Sequence, residues 1–294
     1  MELQRIISFV FFFICSFLLY ANTGIALVHG TKDHREDAYG GYWKTDFIES
    51  LALALKNPAN HYVAHCDFSQ YMWHEDSAQC IADQLLEFIH EQKIDSLTVY
   101  THSDGANVMR WILSHPSYNR SYFTLSKKIK QIIALAPSSG GTILADEVLN
   151  GGIFQTSVGW LLGYLSADAI KQQRIGDMLL YNQELLFGSL NRPSLSIPFK
   201  VVVGTDVAAS PLSSASYCNG YLLNSGLKVT KLYLNSCADG FLNCSSQLEA
   251  GTLWFYDKDK TTGHKTLSHN QSRHSCFDLD QILISAIDAQ GVLQ

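Results

Sequence analysis

Leu97 to Trp111 reads LTVYTHSDGANVMRW, and the reading of this stretch decides the fold. The apolar run Leu97 to Tyr100 leads into Thr101-His102-Ser103-Asp104-Gly105. The chain then passes at once into a segment whose Ala106, Met109 and Leu113 recur at helical spacing and which stops before Pro116. Strand, tight turn and helix make the setting that a G-x-S-x-G elbow needs. Such a turn strains the serine backbone and lifts Oγ above the sheet. Small residues two before and two after the serine let strand and helix approach; Gly105 supplies one of them, and Thr101 stands where glycine is commonest. Ser103 is the candidate nucleophile.

Outward from the elbow the same alternation continues. Upstream, Ile25 to Val28 predicts a strand ending at His29-Gly30, and Phe47, Leu51, Ala54 and Leu55 share one helical face. His61 to His65 predicts a second strand; Ala78, Ile81, Leu85, Phe88 and Ile89 predict an amphipathic helix. Downstream, strands are expected at Ile132 to Ala136 and Val201 to Val203, and Leu279, Ile282, Leu283 and Ala286 mark the inward face of a closing helix. The pattern predicts an α/β fold, a doubly wound, mainly parallel sheet with helices on both faces. With 294 residues, 47% hydrophobic and 16% charged, the chain suits one large core with an insertion, a single domain over residues 24–294.

The insertion lies between the strands at Ile132 and Val201, where roughly sixty residues exceed any ordinary connection. Its centre is apolar: Phe154, Val158, Trp160, Leu161, Leu162, Tyr164 and Leu165. It reads as a helix docked on the core or as a cap. The cap is preferred, a helical lid over about residues 141–198, because insertions here overlie the carboxyl ends of the strands, where open α/β sheets bind ligands.

At the N-terminus, Arg5 precedes the apolar run Ile6 to Tyr20 and small residues follow from Ala21, so residues 1–21 read as an export signal. As a helix that run would span only about 22 Å against a hydrocarbon core of roughly 30 Å, which makes an uncleaved membrane anchor the weaker reading. Beyond the leader, Cys66, Cys80, Cys218, Cys237, Cys244 and Cys276 form an even set suited to pairing in an oxidising compartment. A secreted or periplasmic location is expected. A net charge of −6 offers no field to attract phosphates, so nucleic acid is not an expected partner. Cys-x-x-Cys and H-E-x-x-H do not occur, and no zinc or other cofactor is expected.

A serine hydroxyl needs a base to take its proton and an acid to orient that base. The oxyanion needs backbone N–H groups: that of Asp104, at the start of the helix, and that of Thr31, after the first strand in ALVHGT. His29 reads as a packing or hydrogen-bonding residue. In the chain order serine, acid, histidine, the base follows the acid. His264, His269 and His274 stand between the run bearing Trp254 and the final helix, His274 near its N-cap candidate Ser275. Asp206, after the strand in VVVGTD, and Asp239, in CADGFLNCSS, compete as the acid.

Four segments in order, LVHG, the HSDG elbow, APSSGGTILAD and ADGFLNCSS, resemble the secreted bacterial triacylglycerol lipases. The likeness runs from about Gly24 to the C-terminus as motifs with unlike sequence between them. It implies an α/β-hydrolase fold and hydrolysis of lipid-like carboxylic esters, with a lid region that begins at Ala145-Asp146 and contacts the lipid interface. It also implies Asp239 as the acid, ahead of Asp206, and His269 in TLSHNQS as the base, ahead of His274. By the same resemblance Cys218 pairs with Cys244, which leaves Cys237 for Cys276 and Cys66 for Cys80. Some members hold a structural calcium ion near the histidine loop; Asp257 and Asp259 do not by themselves show one. Two other readings stay open: a phospholipase or acyltransferase with the same triad, and a non-catalytic α/β-hydrolase that binds a lipid or protein.

Overall fold

The computed structural model describes residues 21–150, 167–208, 218 and 221–288. The leader run Ile6 to Tyr20 and the apolar cluster Phe154 to Leu165 lie outside them. No helix among the described residues is long and apolar enough to cross a membrane.

Six parallel strands form the main sheet: β1 (Thr23–Val28), β2 (His61–Val63), β3 (Ser96–His102), β4 (Ile129–Leu135), β5 (Phe199–Val203) and β6 (Thr252–Tyr256), in the order β2-β1-β3-β4-β5-β6. All seven residues of β3 are buried, because strands lie on both sides of it and helices on both faces. A strand so enclosed needs no alternation of polar and apolar residues. The chain winds outward from β1 to β2, then returns to lay β3 on the other side of β1. At this switch of direction the carboxyl ends diverge and leave a crevice. The pairing Val28 with Thr101 sets the loop after β1 beside the elbow after β3.

On one face, α1 (Thr45–Leu53) and α8 (Leu279–Asp288) pack Phe47, Ile48, Leu51, Leu279 and Leu283 against Ile25, Leu27 and Tyr100. On the other, α2 (Cys80–Glu91), α3 (Gly105–Ser114) and α4 (Arg120–Lys128) pack Ile81, Leu85, Val108, Ile112 and Leu125 against Val28, Val99 and Ile132. The spacing of Ala106, Met109 and Leu113 describes one stripe of α3, yet all ten of its residues are buried, Asn107 and Arg110 among them. The connection from β4 to β5 covers the rest. It carries α5 (Ile143–Leu149), α6 (Ala167–Gln172) and α7 (Ile175–Glu184). Arg110 reaches out of α3 to Asn182 Oδ1 at 2.8 Å and to the Phe187 carbonyl at 3.0 Å. The described part of the insertion is thus docked on the helix behind the elbow.

Among the elements that escape the sequence reading, α4 and β6 do so for clear reasons. In α4 only Tyr122 and Leu125 are buried, too few anchors for a period. In β6, an edge strand, only Phe255 is fully buried.

The disulfides are Cys66–Cys80, Cys218–Cys276 and Cys237–Cys244, with Cα separations of 6.0, 5.5 and 5.5 Å. The first agrees with expectation, and the pairings Cys218–Cys244 and Cys237–Cys276 are corrected. Cys237 and Cys244 face each other across a short loop closed by the bridge between Ala238 and Asn243 and by the Cys244 N–H bond to the Cys237 carbonyl at 3.0 Å. These contacts within one loop hold the two sulfurs at bonding distance.

Candidate active site

Ser103 follows β3 directly, with φ +53°, a left-handed conformation that a non-glycine residue holds only under support from its surroundings. That support comes from the neighbouring strand: the Ser103 N–H donates to the Leu135 carbonyl at 3.1 Å, and the Ser103 carbonyl accepts from Ser138 N–H at 3.3 Å. Behind the elbow, a Cβ on Gly105 would lie 2.2 Å from the His29 carbonyl oxygen, so no other residue fits there. From the facing loop, a Cβ on Gly30 would come within 2.9 Å of the Ser103 Cβ. The close approaches fall on these two glycines. Thr101 lies wholly within the strand and is accommodated, although its buried Oγ1 has no hydrogen-bond partner.

The structure brings Ser103, His269 and Asp239 into one hydrogen-bonded line. Ser103 Oγ lies 3.1 Å from His269 Nε2, and His269 Nδ1 lies 2.8 Å from Asp239 Oδ2. Asp239 is completely buried, and its Oδ1 accepts from the Phe241 and Leu242 N–H groups at 2.8 and 2.7 Å. A carboxylate so held can only accept from Nδ1–H, which leaves the Nε2 lone pair facing the serine hydroxyl. The His269 N–H also donates to the Asp239 carbonyl at 2.9 Å, so acid and base loops are tied through backbone as well as side chain.

The alternatives lie elsewhere. Asp206 pairs with Lys231. His274 is buried with its Nδ1 unpartnered, and burial pushes its pKa down to about 3. His264 bonds the Lys258 carbonyl at 2.8 Å on the surface. His29 is neutral and structural: Nδ1–H donates to the Gly30 carbonyl at 2.7 Å while Nε2 accepts from Cys66 N–H at 3.2 Å.

Thr31 lines the pocket beside Ser103, and neither its N–H nor that of Asp104 donates to any described group. The Gly30 N–H, by contrast, is committed to the Tyr42 hydroxyl at 2.8 Å. The Asp104 carboxyl turns inward to Gln172 Nε2 at 2.7 Å and Asn107 Nδ2 at 3.1 Å; burial raises its pKa to about 6.

Sequence reasoning missed Tyr42 and the role of His102. The Tyr42 hydroxyl donates to His102 Nδ1 in a short bond, and His102 Nε2–H donates to the His269 carbonyl at 2.8 Å. A carbonyl can only accept, so the tautomer follows, and burial keeps His102 neutral. Nothing in the spacing of Tyr42 marks it. Leu223, Leu227 and Phe241 give the pocket apolar lining, and Tyr42, Asn270 and Arg273 also line it.

Both acidic residues near the histidine loop accept hydrogen bonds, Asp259 from the Tyr256 N–H at 3.2 Å. Asp257 takes N–H bonds from Thr205, Lys258 and Leu267 and the Thr205 hydroxyl. Among the described residues no group of three or more histidine, cysteine or acidic side chains is arranged to hold a metal.

No family model and no curated protein matches this sequence. Solved structures do. The mature lipase BlEst2 of Bacillus licheniformis superposes with a TM-score of 0.61 at 15% identity over 92% of each chain. Its propeptide form gives 0.62 at 16%, covering 93% of this chain and 51% of that longer one. A metagenomic carboxyl esterase gives 0.53 at 14%, over 92% of this chain and 76% of that one. Lipase 1 of Pelosinus fermentans gives 0.51 at 14%, over 77% and 84%. At such identities the likeness is one of fold. The chain has the α/β-hydrolase fold.

Proposed function

We propose that this protein is an exported serine hydrolase of carboxylic esters with lipid-like acyl groups. The observation that carries the reading is the contact of 3.1 Å between Ser103 Oγ and His269 Nε2 on a strained elbow. His269 takes the hydroxyl proton as Oγ bonds to the ester carbonyl carbon, while Asp239 holds and stabilises the imidazolium. Charge on the former carbonyl oxygen is met by the Asp104 and Thr31 N–H groups. As the carbon–oxygen bond to the alcohol breaks, His269 returns the proton to the leaving oxygen. Water, deprotonated by the same histidine, then releases the acid and restores Ser103. The apolar lining residues Leu223, Leu227 and Phe241 suit an acyl chain. Three disulfides suit an oxidising compartment and support reading residues 1–21 as an export signal. The apolar centre of the 141–198 insertion is read as the lid.

A fluorophosphonate probe is expected to label the intact protein, and Ser103→Ala to abolish both labelling and hydrolysis of p-nitrophenyl esters. Asp239→Asn is expected to lower kcat about 10⁴-fold by disturbing the histidine tautomer, whereas Asp206→Asn leaves turnover near normal. An unlabelled protein beside a reactive control hydrolase defeats the enzymatic reading and favours a binding role.

A further inference from the structure

The candidate pocket holds a cation for which the ester chemistry has no use. Arg273 follows the proposed base by four positions, in the 3₁₀ turn Gln271–Arg273, and lines the pocket together with Ser103, His269, Tyr42 and Thr31. Its guanidinium lies over the Tyr42 ring, 4.2 Å from the centroid. Nη1 donates to the Tyr42 carbonyl, and Nη2 donates to Asn270 Oδ1 at 2.8 Å. Both acceptors are neutral, and a guanidinium has more donors than they use. No described carboxylate lies within ion-pair distance of it. Burial pushes its pKa below the ordinary arginine range, as expected of a charge whose desolvation is incompletely offset.

An arginine pinned by a ring and two acceptors is preorganised, with its remaining donors free to take an anion in bidentate fashion. The apolar residues Leu223, Leu227 and Phe241 are suited to the acyl chain. Arg273 belongs to the loop of His269, which protonates the departing oxygen. We propose that Arg273 forms an anion subsite on the leaving-group side of Ser103, so that the preferred substrate is an ester whose alcohol part carries a carboxylate or a phosphate. This rests on the hydrolase reading above and names its substrate class.

Steady-state kinetics of the intact protein on a matched pair test it: para-octanoyloxybenzoate, anionic in its leaving group, and the methyl ester of the same compound, which is neutral. In Arg273→Gln, kcat/KM is expected to fall about tenfold or more on the anionic ester, mainly through KM, and less than about threefold on the neutral one. Arg273→Lys keeps the charge and is expected to recover part of the loss. Equal losses on both esters overturn the subsite and leave Arg273 as a support for Tyr42. A selective loss on p-nitrophenyl hemiglutarate, whose charge is on the acyl side, also overturns it. If no ester is turned over and the fluorophosphonate fails to label Ser103, the hydrolase reading falls by itself. The subsite is then decided by calorimetric titration with benzoate and glycerol phosphate, which also separates the two anions. Heat seen with either in the native chain and lost in Arg273→Gln upholds it, and no heat with either overturns it.

Discussion

From the Gly30 amide to the His269 carbonyl runs a line of polar atoms that begins and ends on backbone, through the Tyr42 hydroxyl and the His102 ring. It ties the loop bearing Thr31 to the loop bearing the proposed base, and it crosses directly beside Ser103. Tyr42→Phe would keep the ring but remove both bonds, leaving the Gly30 N–H and His102 Nδ1 unsatisfied. Each buried polar group so orphaned costs about 1–3 kcal/mol. With two groups orphaned, the variant is expected to lose about 2–6 kcal/mol of unfolding free energy in a denaturant titration, and to lose kcat more than KM, because histidine placement rather than substrate binding is loosened. A variant with native kcat would show that the line is incidental to catalysis.

Among the elements, the loop from Cys237 to Cys244 is the one whose shape matters most. It must present Asp239 while the Phe241 and Leu242 amides fold back on the same carboxylate, and the disulfide closes it across a sequence separation of 7. A short closed loop restricts the unfolded chain by about 2–3 kcal/mol in the loop-entropy account. The double variant Cys237→Ser with Cys244→Ser is expected to lower the unfolding free energy by about that amount and to reduce kcat. The denaturation midpoint and the rate, measured on the same preparation, check both parts. If turnover survives with stability reduced, the two amides alone hold the acid. The motif ADGFLNCSS marked this loop in the sequence, but its clamp was misassigned, because which cysteine a cysteine meets depends on the folded path of the chain.

At the scale of the molecule, neutral histidines locked inside the fold govern the response to acid. His29 and His274 are held down to about 3 from an ordinary 6.5, and His102 well below it, each chiefly by burial. In the unfolded chain all three take up a proton as the pH falls through about 6.5, while the native protein does not. Stability is therefore full above that value and declines toward pH 3, by up to about 1.4 kcal/mol per pH unit for each histidine. Asp104 works the other way: with its pKa raised from 3.8 to about 6, its protonation favours the native state as the pH falls from about 6 to 3.8. Three histidines outweigh Asp104 and Asp257, whose pKa burial also raises, so the denaturation midpoint is expected to be lower at about pH 5 than at about pH 7.5. His274→Gln is expected to flatten the slope; an unchanged midpoint between the two pH values contradicts the burial of these rings as neutral groups.

The alternation of strands and helices and the elbow at Ser103 are legible in the chain, because period, glycine and turn chemistry act over a few neighbouring residues; Asp239 and His269 stood out from their rivals only through the resemblance of their motifs. Tertiary structure alone decided which of three histidines meets the serine, how six cysteines pair, that α3 is buried on every side with Arg110 inside, and that Tyr42 and Arg273 stand at the pocket. These depend on contacts between residues far apart in sequence. A one-dimensional pattern carries the propensity of each segment but not the distances between segments, and those distances are set only when the sheet closes around the end of β3.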